Sequence, residues 1–138
     1  MKKDKSHKYY TSVYYEDTDS GGIVYHTSYL RFAERARTEM LKSLFPEIIQ
    51  IIRKGNFVFA VKDLKVNYHK AGKLFDDLVI ETRLQKMGKT SLILQQIIKK
   101  EEKIYCSIQI RLVWLNRILN RPVKMINDIS RLYEIKIV

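Results

Sequence analysis

The sequence predicts an α+β domain in which one long helix packs on an antiparallel sheet. Two observations carry this: apolar residues recur at helical spacing over one long stretch, between a Gly-Gly turn and Pro46, and alternate with a period of two in several later stretches. The chain has 138 residues, 46% of them hydrophobic and 30% charged, a size and composition that suit one soluble folding unit. Residues 1–138 therefore read as a single domain, with the lysine-rich positions 1–8 as a flexible leader.

Tyr9 to Tyr15 is rich in Tyr, Thr and Val and reads as the first strand. Asp17-Thr18-Asp19-Ser20-Gly21-Gly22 ends it, since Gly-Gly beside Asp and Ser is turn chemistry. Thr27 or Ser28 is placed to cap the helix that follows. Its apolar stripe is Leu30, Ala33, Ala36 or Arg37, Met40, Leu41 and Leu44, and Pro46 closes the pattern. Arg31, Glu34, Arg35, Arg37 and Glu39 form its polar flank, with Arg35 and Glu39 spaced as an i,i+4 pair.

After a short apolar piece, Glu47 to Ile52, and the Gly55-Asn56 break, four strands follow. Leu64, Val66 and Tyr68 mark the first, and Leu78, Ile80, Thr82 and Leu84 the second. Leu92 to Ile98 forms the third. Ile104, Cys106, Ile108, Ile110, Leu112 and Trp114 hold one phase through the fourth. Pro122 suits the first turn of a short C-terminal helix whose sticky face is Val123, Ile126, Ile129 and Tyr133. The order is strand, long helix, four strands and short helix, a five-stranded antiparallel sheet with one dominant helix.

No apolar run is long enough to span a membrane, and the lysines of the N-terminus are not followed by one, so a cytoplasmic location is expected. A single cysteine, Cys106, precludes an intrachain disulfide and a cysteine-held metal. Its place between Ile104 and Ile108 suits a buried structural thiol, and Trp114 in the same phase suits the core or an interface. The net charge of +11 points to an anionic ligand or to nucleic acid. The second reading rests on charge alone, because neither an aromatic RNA-binding signature nor a zinc-finger spacing is present, and no nucleic-acid partner is expected.

The chemistry concentrates between Tyr14 and Met40. Tyr15 falls near the end of the first strand, Asp19 in the turn, and His26 just before the helix, whose unpaired first amides and positive dipole end suit a developing oxyanion. A carboxylate beside such a site is what acyl transfer requires. Each residue also has a plain structural reading: Asp19 bonding its own turn, His26 as a polar residue ahead of a helix, Tyr15 as sheet surface. The spacing alone leaves both readings open.

The run Tyr14-Tyr15-Glu16-Asp17-Thr18-Asp19-Ser20-Gly21-Gly22-Ile23-Val24-Tyr25-His26, continued by Glu34-Arg35-Ala36-Arg37-Thr38-Glu39-Met40-Leu41, resembles the signature of YbgC-type acyl-CoA thioesterases, in the 4-hydroxybenzoyl-CoA thioesterase branch of the hotdog superfamily. The resemblance implies a hotdog fold, with the long helix wrapped by the sheet, and two chains joining their sheets as a homodimer or homotetramer with sites at the interface. It implies acyl-CoA as substrate and places the catalytic carboxylate at Asp19 rather than Asp17, the histidine at His26 and an assisting tyrosine at Tyr15. Asp19 would act as general base or as nucleophile. No cofactor is expected, since coenzyme A is part of the substrate, and its phosphates would suit basic residues such as Lys70, Lys89 and Arg117. The alternative is a non-catalytic hotdog dimer that binds acyl-carrier protein or serves an envelope-maintenance complex. It is motivated by genes of this type lying near those of the Tol-Pal system.

Overall fold

A computed structural model describes residues 5–125 and 129–137. In chain order it contains β1 (His7–Ser12), a 3-10 turn (Tyr15–Asp17), α1 (His26–Leu44), α2 (Pro46–Arg53), β2 (Phe57–Tyr68), β3 (Asp77–Met87), β4 (Ser91–Lys100), β5 (Lys103–Asn116), β6 (Arg121–Pro122) and a 3-10 segment (Ile129–Ile135). The sheet runs β1-β3-β4-β5-β2, antiparallel throughout, with the two-residue β6 added to the end of β5. β2 is thus an edge strand, paired only with β5 among the described residues.

The period-2 pattern builds one apolar face. Register aligns Ile80 with Ile98 and Cys106, Thr82 with Gln96 and Ile108, and Leu84 with Leu94 and Ile110. All nine side chains are buried. Across them lies α1, which buries Tyr29, Phe32, Ala33, Ala36 and Met40. Ala33 and Ala36 let the helix approach closely enough for Gln96 Nε2 to donate to the Ala33 carbonyl at 2.9 Å. Burying each large aliphatic here contributes about 1.5–3 kcal/mol.

Several local expectations need correction. The apolar stripe of α1 is centred on Tyr29 and Phe32 rather than Leu30, Leu41 and Leu44, which are only partly buried. Arg37 is not surface: its Nη1 donates to Gln96 Oε1 at 3.0 Å, while Glu39 pairs with Lys42 and not with Arg35. Neither Thr27 nor Ser28 caps the helix. Tyr25 is the N-cap without a side-chain bond, and Ser28 Oγ, already inside the helix, donates to the Asp17 carbonyl at 3.0 Å. Positions 7 and 8 of the expected leader are paired in β1, opposite Thr82 and Glu81.

Pro46 does end the long helix, and then opens α2 at its first turn, where the missing amide costs nothing. Pro122 begins no helix. It lies in β6 on the sheet edge, which tolerates a missing donor equally well, and the later 3-10 segment buries Leu132 and Ile135 while Tyr133 stays exposed. Ile126 lies outside the described residues. Trp114 is core, stacked on Phe57 at 5.7 Å and nearly parallel to it. No helix among the described residues is long and apolar enough to cross a membrane.

Candidate active site

The turn between β1 and α1 is held by Asp17, not Asp19. Asp17 is buried, its Oδ2 accepts the Tyr14 amide at 2.9 Å, and its carbonyl accepts both the Tyr25 amide and the Ser28 hydroxyl. These bonds fold residues 14–28 into a compact knot, which leaves the neighbouring Asp19 exposed at its tip. Tyr15 therefore sits in a 3-10 turn and not on the strand where the Tyr-rich pattern placed it.

Asp19 begins a small hairpin: its amide donates to the Ile23 carbonyl at 2.9 Å, and Thr18 bridges Val24. Its Oδ1 accepts the Gly21 amide at 2.8 Å, the turn role that Asp commonly takes. Oδ2 accepts no hydrogen bond among the described residues, so the carboxylate keeps one oxygen for other chemistry. Gly22, at a φ of 79°, supplies the left-handed conformation that closes the hairpin.

The hairpin delivers the chain to His26, the first residue of α1. The Ser28 amide is taken by the Tyr25 carbonyl, but those of His26 and Thr27 have no acceptor among the described residues. Two N–H donors thus stand at the positive end of a nineteen-residue helix. The His26 ring lies 4.4 Å from that of Tyr25 and 6.5 Å from that of Tyr68, and its carbonyl accepts the Tyr68 hydroxyl at 3.0 Å.

Tyr68, the last residue of β2, is one of three positioning groups that spacing alone does not reveal. The others are Tyr29 and Gly72. The Tyr29 hydroxyl accepts the Gly72 amide at 2.9 Å and donates to the Lys70 carbonyl, while the Val24 amide donates to the Gly72 carbonyl. Burial, more than its other surroundings, raises the pKa of Tyr29, and burial likewise raises that of Tyr68, so both phenols keep their protons. Beside them a cavity of about 300 Å³ is lined by Ile23, His26, Tyr29, Tyr68, His69 and Lys70. His69 Nε2 lies 3.0 Å from Ser107 Oγ.

The Asp19 turn and the helix start are thus joined through the backbone, and Lys70 lines the cavity beside His26. The Tyr15 ring faces elsewhere, edge-on to Phe75 at 6.0 Å, where the two line a second cavity of about 490 Å³ with Val13 and Tyr14. Phe75 is exposed and held at a φ of 75°, an uncommon conformation for an aromatic residue. Lys89 and Arg117 lie at the opposite end of the sheet, in the β3–β4 and β5–β6 turns, and do not reach this site within one chain. Cys106 is buried and its thiol is pushed up to about 12 by desolvation, which suits a structural residue and not a nucleophile.

A long helix laid on an antiparallel sheet, with an acidic hairpin at its open N-terminus, defines the hotdog thioesterase class. Residues 21–107 match the thioesterase superfamily, and the chain belongs to it. It is 40% identical over 93 residues to the acyl-CoA thioesterase YbgC of Haemophilus influenzae, covering 67% of this chain and 68% of the relative. To the acyl-CoA thioester hydrolase YbgC of Escherichia coli O6:H1 it is 38% identical over 112 residues, covering 80% and 82%. Among solved structures, a probable thioesterase from Bartonella henselae superposes with a TM-score of 0.75 at 25% identity, over 88% of this chain and 98% of that one. The dynemicin thioesterase shares the fold at a TM-score of 0.90 and 15% identity, over 97% of this chain and 99% of that one.

Proposed function

We propose that the chain hydrolyses the thioester of acyl-coenzyme A in the cytoplasm, with Asp19 as the catalytic carboxylate. The observation that carries this is a carboxylate with one oxygen unbonded among the described residues, held in a hairpin that leads directly into a helix whose first two amides have no acceptor among them. The relatives named as acyl-CoA thioester hydrolases supply the substrate class.

The thioester carbonyl oxygen is taken up by the His26 and Thr27 amides, where negative charge develops on attack. Asp19 removes a proton from water as the water oxygen bonds to the carbonyl carbon. Collapse of the tetrahedral intermediate breaks the C–S bond, and the proton passes to the thiolate. Alternatively Asp19 attacks the carbonyl carbon directly, the C–S bond breaks to release coenzyme A as a thiolate that takes a proton from water, and the mixed anhydride formed is then opened by water. One turnover in heavy-oxygen water tests the nucleophilic route, since label enters Asp19 only when water opens an anhydride at the Asp19 carbonyl. His26 serves as an orienting or proton-relaying group, Tyr15 takes such a role only by turning its ring away from Phe75, and the reaction uses only side chains, backbone amides and water.

Asp19, His26 and Tyr15 are all exposed in one chain, so the site is open on the side where substrate would be held. The free edge of β2 ends at Tyr68, beside that opening, and exposes Val61 and Leu64. An unprotected edge of this length calls for a partner. Two copies joined antiparallel along β2 would close both sites, each beside the far end of the other chain. Lys70 is then the basic residue available to coenzyme A phosphates from the same chain, and Lys89 and Arg117 from the partner.

The test is release of free thiol from short, long and aromatic acyl-CoAs by the wild type and by Asp19→Asn. Loss of turnover by about 100-fold or more in the variant, with folding intact, supports the reading. If the folded wild type is inert on the whole panel, the non-catalytic reading, with acyl-carrier protein as partner, takes its place.

A further inference from the structure

We propose that the end of the sheet opposite Asp19 is a docking surface for an anionic lipid bilayer. Ten residues of β5 separate Cys106, which pairs with Tyr68 near the site, from Asn116 at the other end, roughly 33 Å at the usual strand rise. There β5 turns into β6 through residues 117–120. At the crest of this turn Ile118 is 73% and Leu119 53% exposed. They are presented by construction: the Asn116 side-chain oxygen accepts both their amides, at 2.9 and 3.0 Å, and Asn120 takes a φ of 54° to close the loop.

Around this apolar tip the charge has one sign. Segments 53–57, 87–91 and 114–125 meet at this end of the sheet, through Phe57 opposite Asn116, the Arg117 amide on the Asn56 carbonyl, and the Met125 amide on the Lys89 carbonyl. They carry Arg53, Lys54, Lys89, Arg117, Arg121 and Lys124 and not one Asp or Glu. All six are exposed, and none is in an ion pair with another described residue, whereas Lys42, Lys99, Lys100 and Arg111 elsewhere are.

The shape selects the occupant. A protein partner needs about 800 Å² of matched surface, which two aliphatic side chains on a convex turn do not offer. A bilayer accepts a small wedge into its headgroup layer and supplies phosphates for the surrounding cations, each strengthening binding by about fivefold. Docking also has a consequence that rests on the proposed β2-paired dimer: the tip of one chain and the Asp19 site of the other share an end, so a docked dimer holds one site at the membrane face.

The test is co-sedimentation of the full-length protein with vesicles of phosphatidylcholine alone and with an equal part of phosphatidylglycerol, at low and high salt. Turnover is not needed for the readout, so failure of the thioesterase reading leaves this result separate. The expected result is binding to the anionic vesicles only, falling with salt. It should weaken about 25-fold in Arg121→Gln/Lys124→Gln, which removes two cations, and be lost in Ile118→Ser/Leu119→Ser, whose thermal midpoint and hydrolysis of soluble acyl-CoA stay at wild-type values. Absence of vesicle binding at low salt, equal binding to neutral vesicles, or binding unchanged in both variants would overturn the proposal. So would failure on vesicles combined with salt-sensitive binding of an acidic carrier protein at the same tip.

Discussion

The Tyr68 hydroxyl donates to the His26 carbonyl at 3.0 Å, so the last residue of β2 holds the first residue of α1. The bond runs between the edge strand and the helix end whose first two amides have no acceptor among the described residues. Tyr68→Phe removes the donor and leaves the ring in place. The expected loss is about fivefold in kcat at nearly constant KM, and a destabilisation of about 1 kcal/mol. Because burial raises the Tyr68 pKa, the phenol remains a donor across neutral pH, and the ratio of wild-type to variant turnover should be flat from about pH 6 to 9. A ratio that climbs or falls over that range would assign Tyr68 to proton transfer instead.

Gly72 offers a second way to disturb the same end. A Cβ there would lie 2.9 Å from Val24 Cγ2 and 3.2 Å from the Tyr29 hydroxyl, both buried residues. Gly72→Ala should cost about 1–3 kcal/mol by overpacking. The cost should be partly recovered in Gly72→Ala/Val24→Ala, which vacates the space, and urea unfolding of these two, Val24→Ala and the wild type measures the coupling.

Local interactions were legible in the sequence and distant ones were not. Asp19 and His26 are joined by one hairpin whose Gly-Gly and Asp residues announce it, and the strand phase from Cys106 to Trp114 reads directly as a buried face. Tyr29 escapes the apolar pattern because a polar tip hides its burial. Only its hydroxyl's bonds to Gly72 and Lys70, more than forty residues away, make that burial favourable. Tyr68 meets His26, and Phe75 meets Tyr15, through tertiary folding, which no spacing encodes. Tyr15 reads as strand because Tyr favours one, yet the Asp17 carboxylate bonded to the Tyr14 amide turns the chain first. Pro122 misled for a physical reason: an edge strand and a first helical turn both tolerate a missing N–H.

Gln96 is wholly buried in the sheet face under α1, and both ends of its amide are hydrogen-bonded. Nε2 donates to the Ala33 carbonyl and to Thr82 Oγ1, and Oε1 accepts from Arg37. Burial lowers the Arg37 pKa, so this guanidinium depends on the partners it has. Gln96→Leu strands Arg37 and should cost about 2–4 kcal/mol. Gln96→Leu/Arg37→Met, which removes both polar partners, should regain most of the lost stability. A double variant as unstable as the single one would show that packing, and not the orphaned cation, sets the cost.

Cys106 gives a prediction at alkaline pH. In the unfolded chain its thiol ionises near 9.0, whereas in the folded protein burial holds the proton up to about 12. Between these values the folded state binds more protons than the unfolded one. The thiol's contribution is therefore complete below pH 9 and is lost as pH rises towards 12, at about 1.4 kcal/mol per pH unit. Cys106→Ala has no thiol to ionise. It should be less stable than wild type at neutral pH, by about 1 kcal/mol for the lost sulfur contacts, yet its stability should fall less steeply above pH 9. Denaturant midpoints of both proteins, taken at intervals from neutral to alkaline pH, measure the difference. Parallel curves would mean that the thiolate is accommodated in the fold, and that Cys106 is more accessible than its place between Ile98 and Tyr68 implies.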